Sequence, residues 1–166
     1  MGANRSHRRV AAAVDAVCDA AARAEAVTLR HVVDAVARER QRAIELDFTK
    51  PMAPGVCGQR RAYPDRDVIV LAPGLPDLDR TLAHELGHIV FRHEGAEIVA
   101  ATLEAGDDLI AYMLSQRSRR RGDEQPSDEV AEWEAETFAS MLLIRLKTMQ
   151  GRGTPVSVLR YDEAIG

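Results

Sequence analysis

Two histidines four residues apart, inside a segment whose large apolar residues also recur at three and four, constrain this chain more than any other feature. Leu78, Leu82, Leu86 and Ile89 make one apolar face of a helix that Asp77 or Asp79 can cap, and His84-Glu85-Leu86-Gly87-His88 lies within it. Such a helix must bury its leucine face and keep both imidazoles together on another, with Cβ atoms about 5–6 Å apart. The fold therefore needs a core on one side of this helix and a cleft on the other. Glu85, one residue further round, falls beside the point where the two rings meet.

Two imidazoles at that spacing can reach one zinc ion at roughly 2.0–2.1 Å. H-E-x-x-H on a helix is accordingly a metallopeptidase pattern. The metal lowers the pKa of a bound water to about 7 and polarises a peptide carbonyl, while Glu85 takes the water's proton and passes it to the leaving amine. A third ligand is needed, and the last long helical segment offers acids for it. Ser127 is a good N-cap there, Asp128 and Glu129 stand in the first turn, Arg145 and Lys147 in the last, and Gly151 follows. Glu132 and Glu136 share a face with the small residues Ala135 and Ala139, which allow close approach to the His84 helix, while Phe138 and Leu142 fill the core. Acids on the small-residue side of a buried helix are costly unless a cation compensates them, and zinc supplies that charge.

The rest of the chain reads as one α+β architecture: N-terminal helices, a small three-stranded sheet, the zinc helix and a closing C-terminal helix. Val10, Val14, Val17, Ala21 and Ala24 mark a first helix over 8–26. Its Asp15 and Asp19 interrupt any apolar run approaching the ~18 residues of a membrane span, so neither a signal peptide nor an anchor is expected and the cytoplasm is the default location. Thr28 caps a second helix reaching Arg42, and Ile44–Phe48, Val56–Ala62 and Val68–Leu71 alternate or run apolar as strands, the last two joined by a turn over Tyr63–Asp67. Helical stretches are expected over Ala96–Ala105 and Asp108–Ser115, with a polar loop over Gln116–Ser127. The chain divides into a helical extension over 1–27, a metal-binding domain over 28–150 and a flexible tail over 151–166. At a net charge of −4 it has no general affinity for polyanions, and direct nucleic-acid binding is not expected.

The pairing of His84-Glu85-Leu86-Gly87-His88 with Glu132-x-Glu134-Ala135-x-x-Phe138-Ala139-x-x-Leu142-Leu143 resembles the ImmA/IrrE family of zinc metallopeptidases, small gluzincin-like enzymes that often act on helix-turn-helix repressors. The resemblance spans residues 28 to 148. It implies that His84, His88 and Glu132 ligate zinc, that Glu85 is the general base, and that Glu136 orients a ligand histidine. The metzincin pattern is not met, because it wants Gly at 91 and His at 94 where this chain has Phe91 and Glu94. The implied activity is zinc-dependent hydrolysis of a peptide bond in a specific protein, a helix-turn-helix repressor or another transcriptional regulator. With no recognisable pro-segment, selectivity is expected to come from the substrate. The competing reading is a non-catalytic module in which zinc staples two helices and the fold binds a regulatory partner, although a structural site wants a fourth protein ligand and has no use for Glu85.

Other residues carry weaker expectations. His93, about 140° off the His88 face of a continuing helix, is expected in a structural or surface role, with an alternative as a ligand or substrate contact. Cys57 is expected as a plain buried cysteine, with an inhibitory zinc ligand as the alternative. One disulfide with Cys18 is formally possible. Tyr63 and Tyr112 are available phenols for an oxyanion. Arg117, Arg119, Arg120 and Arg121 read as a solvated loop, with substrate contact as the alternative. His7 and His31 read as surface residues.

Overall fold

The computed structural model describes residues 5–52, 54–93, 97–98 and 126–152. Helices α1 (His7–Arg23), α2 (Leu29–Arg40) and α3 (Leu78–Val90) flank and cover a sheet of β1 (Ala43–Asp47), β2 (Gly58–Ala62), β3 (Arg66–Leu71) and the two-residue β4 (Glu97–Ile98), and α4 (Pro126–Arg152) closes the domain. The sheet runs β1-β3-β2-β4, with β3 parallel to β1, β2 antiparallel to β3, and β4 parallel to β2. This is the expected α+β arrangement, with three strands of five or six residues and β4 as a short addition.

Local chemistry sets the helix ends. Ser6, Thr28 and Asp77 each accept a hydrogen bond from the backbone N–H three residues on, so the first helical turns begin where capping side chains stand. The other ends use one device three times. Glu25, Gln41 and Arg92 take left-handed backbone with φ between 52° and 54°, and the next residue's N–H reaches back to a carbonyl five residues earlier: Ala26 to Ala21, Arg42 to Ala37, His93 to His88. That is the Schellman geometry, which normally selects glycine. No glycine stands at any of the three positions, so the sequence reading ran α1 three residues and α2 two residues too far.

Val68–Leu71 are buried in the sheet centre. Arg66 and Asp67, expected in the turn, already pair within β3, because Asp67 is a buried acceptor for Arg40 and Arg42 at 3.2 and 3.0 Å. Arg42 also donates to the Tyr63, Pro64 and Arg66 carbonyls, tying the β2–β3 turn to the end of α2. β2 begins at Gly58 and not at Val56, which leaves Cys57 exposed in the preceding loop instead of buried; Cys57 and Cys18 are both free. Glu97 and Ile98, expected as helix, instead extend the free edge of β2 opposite Arg61 and Ala62. The remainder of the helices expected over 96–115, the arginine-rich stretch with Tyr112, and the tail from 153 lie outside the described residues. α4 starts at Pro126, a residue suited to a first helical position, so Ser127 lies inside the helix. It continues through Gly151, its end fastened by Arg145 to Asp15 and by Gln150 to the Val27 carbonyl.

A single apolar cluster joins all four helices to the sheet: Val10, Val14 and Val17 of α1, Val32, Val33 and Val36 of α2, Ile69 and Leu71 of β3, Leu82, Leu86 and Ile89 of α3, and Phe138 and Leu142 of α4. Gly87 marks where α3 and α4 cross. A Cβ there would lie 3.1 Å from Ala135 Cα and 3.1 Å from Phe138 Cδ1, so glycine and alanine together let the two helices approach this closely. Ala135 sits at the centre of the crossing, and the 100° step per residue puts Glu132 and Glu136 on one flank and Glu134 on the other. Among the described residues, no helix is long and apolar enough to cross a membrane.

Candidate metal centre

α3 buries Leu82, Ala83, Leu86 and Ile89 and leaves His84 and His88 half-buried on its α4 side. Their Nε2 atoms lie 3.1 Å apart. Glu132 of α4 closes the triangle, with Oε2 3.3 Å from His84 Nε2 and Oε1 3.2 Å from His88 Nε2. Ligand atoms held at 2.0–2.1 Å around a tetrahedral ion stand about 3.3 Å from one another, and all three edges are close to that length. The chemistry of the donor set agrees: two imidazole nitrogens and a carboxylate converge on one point, and a cation between them satisfies all three. Among the described residues, this is the group of histidine, cysteine and acidic side chains arranged to hold a metal ion.

Glu132 is 64% exposed at its side chain, so the triangle is open on that side. Hydrogen bonds from His84 and His88 hold its carboxyl well below the usual carboxylate range. Burial works against a charged His84, but the hydrogen bond to Glu132 and the charge of Glu85 outweigh it and keep its pKa above the ordinary histidine value. Glu136, one turn beyond Glu132, places Oε2 3.3 Å from His84 Nδ1 and pairs through its other oxygen with Arg80. It therefore contacts the far side of a candidate ligand histidine.

Glu85 is buried, and burial raises its carboxyl pKa against the pull of His88 and His84. It lies under the start of β2. A Cβ built on Gly58 would stand 2.7 Å from Thr81 Cγ2 and 3.1 Å from Glu85 Cγ and Oε1, so only glycine lets the strand run this close to the α3 acid. Gly58→Ala should cost about 1–3 kcal/mol in urea unfolding, the usual range for overpacking. Thr81→Ser, which removes the nearer methyl and keeps the hydroxyl, should recover part of that loss in the double variant. A fully tolerated Gly58→Ala would show that this contact is loose.

Of the remaining sequence candidates, Tyr63 sits in the β2–β3 turn with the Arg66 guanidinium over its ring at 4.6 Å, and His7 and His31 are exposed. Cys57 is not part of the metal-capable group, nor is His93. His93 was the site residue hardest to read. An ideal helix would have carried it away from His88, but the left-handed Arg92 turns the chain back, and His93 Nδ1 lies 3.0 Å from His88 Nδ1. Its Nε2 is 2.8 Å from Glu134, an acid to which the resemblance assigns no role. Arg60 of β2 was missed as well; it donates to the His88 and His93 carbonyls. The available signal was a non-periodic histidine just past a helix end, together with a third acid in a segment otherwise bound for the core.

Residues 40–152, more than half of the chain, match the IrrE N-terminal-like domain of the peptidase M78 family. The chain belongs to this family. The match contains both halves of the triangle, the α3 histidines and the α4 glutamate, and all of the sheet. Comparison with curated proteins and with solved structures returns no match. This peptidase M78 domain thus joins a metal-capable triangle to a buried carboxylate beside it.

Proposed function

We propose that this chain is a cytoplasmic zinc metalloendopeptidase that cuts a peptide bond in a specific protein, a helix-turn-helix repressor or other transcriptional regulator. The observation that carries the reading is the placement of Glu85, buried between the His84–His88–Glu132 triangle and the start of β2. A site that only stapled helices would have a fourth protein ligand and no need for this carboxylate. Among the described residues three donors leave one side open.

His84, His88 and Glu132 would hold the zinc, which when bound would supply Lewis-acid polarisation of the scissile carbonyl and acidify the attacking water. Glu85 then accepts the proton of that water and returns it to the leaving amine, a task suited to a carboxyl whose pKa burial has raised. Glu136 accepts from Nδ1 of His84 and keeps Nε2 toward His88 and Glu132, where a metal would be held. Gly58, Gln59 and Arg60 have no described partner on the β2 edge away from β3, since β4 pairs only with Arg61 and Ala62. An extended substrate segment adding there as a strand would pass its backbone over Glu85.

The substrate class is tested by incubating the zinc-loaded protein with a helix-turn-helix repressor from the same genome and, separately, with casein. Cleavage of the repressor at one exposed segment with little digestion of casein is expected. Rapid, indiscriminate digestion of casein would contradict the narrow-substrate reading.

A further inference from the structure

Each candidate ligand histidine uses Nε2 for the triangle, and what holds Nδ1 decides whether Nε2 is free to bind. For His84 the partner is a carboxylate, Glu136. For His88 the partner is another imidazole, His93, which is itself held by Glu134. Glu134, 3% exposed, carries Arg9 of α1 at 3.4 Å from one oxygen and His93 Nε2 at 2.8 Å from the other. A carboxylate only accepts, so His93 Nε2 carries the hydrogen. A neutral imidazole with its hydrogen on Nε2 accepts at Nδ1. With His88 Nε2 given to a metal, the His88 hydrogen stands on Nδ1, and the 3.0 Å contact between the two Nδ1 atoms is a donation from His88 to His93.

His93 is fixed from every side that matters to this arrangement. Its backbone N–H bonds to the His88 carbonyl at 3.0 Å, and Arg60 bridges the two carbonyls. Phe91 stacks on its ring with centroids 5.4 Å apart, and Arg9 covers Phe91 in turn. The ring cannot swing away without losing its contacts to His88, Glu134 and Phe91.

We propose that His93 and Glu134 are positioning residues for His88: the chain Glu134–His93–His88 sets the orientation and tautomer of that ligand, and α1 is tied to it through Arg9. The proposal rests on the zinc reading of the site and assigns His93 a role that is neither ligand nor surface residue. Losing such an outer partner of a ligand histidine weakens metal binding by about 10–100-fold.

Three full-length proteins test it: wild type, His93→Leu and His93→Gln. Glutamine keeps an N–H for Glu134 and an oxygen for His88; leucine keeps neither. Zinc affinity, read by competition with a chromophoric chelator, should fall about 10–100-fold in His93→Leu and return most of the way in His93→Gln. In the zinc-loaded wild-type chain, side-chain ¹⁵N NMR should place the His93 hydrogen on Nε2, a readout that stands even if His93→Leu does not fold. A His93 hydrogen on Nδ1, or a folded His93→Leu with wild-type zinc affinity, overturns the proposal. A wild-type chain that binds no zinc at all overturns the metal reading and the proposal with it, and that result is distinguishable because it precedes any comparison of variants.

Discussion

Glu85→Gln is expected to keep its metal and lose about 10²–10⁴-fold in the rate of substrate cleavage, the range general acid–base catalysis contributes. Glutamine matches glutamate in size, so the packing under Gly58 and Thr81 is preserved, and the amide relieves a buried charge that burial already disfavours. It cannot accept a proton from water. Metal content measured on the same preparation separates the chemistry from the site, because Glu85 is not one of the three donors. Cleavage at the wild-type rate would remove Glu85 from the mechanism, and loss of metal would make it a ligand.

The second large effect belongs to the triangle itself. Zinc sites with four protein ligands gain about 10–16 kcal/mol of binding free energy, so removing one donor costs on the order of 100-fold in affinity or more. Glu132→Ala is the cleanest of the three truncations. Its side chain is 64% exposed, so the fold loses little when it goes, whereas His84 and His88 are partly packed against their neighbours. Metal content after dialysis should drop well below one ion per chain in Glu132→Ala, with the thermal midpoint of the metal-free protein unchanged. Retention of full metal content would move the third ligand to Glu136 or Glu134.

Much of this site was legible in the residues because its chemistry depends on helical spacing. His84 and His88 stand one turn apart, Glu132 and Glu136 share a face, and Ala135 with Gly87 permits the crossing that brings the two helices together. The sheet was legible as three strands, but its order was not: β2 lies between β3 and β4, and β3 runs parallel to β1, relations set by long-range pairing that no local pattern encodes. What escaped lies at the helix ends. Glu25, Gln41 and Arg92 adopt a backbone that glycine usually marks, each closed by the next residue's N–H onto a carbonyl five residues earlier. At Arg92 that one turn decides the site, because it folds His93 onto His88 where continued helical periodicity would carry it away. Cys57 was misplaced for a related reason, since β2 begins only where Gly58 can lie against Glu85.

The most direct measurement is a zinc back-titration of the metal-free protein, with repressor cleavage as the readout. Cleavage should be absent without metal, rise linearly with added zinc and saturate at one ion per chain, and Glu132→Ala should fail to reach that plateau at the same zinc concentrations. Cleavage by the metal-free chain, or saturation of the binding site with no cleavage appearing, would contradict the account.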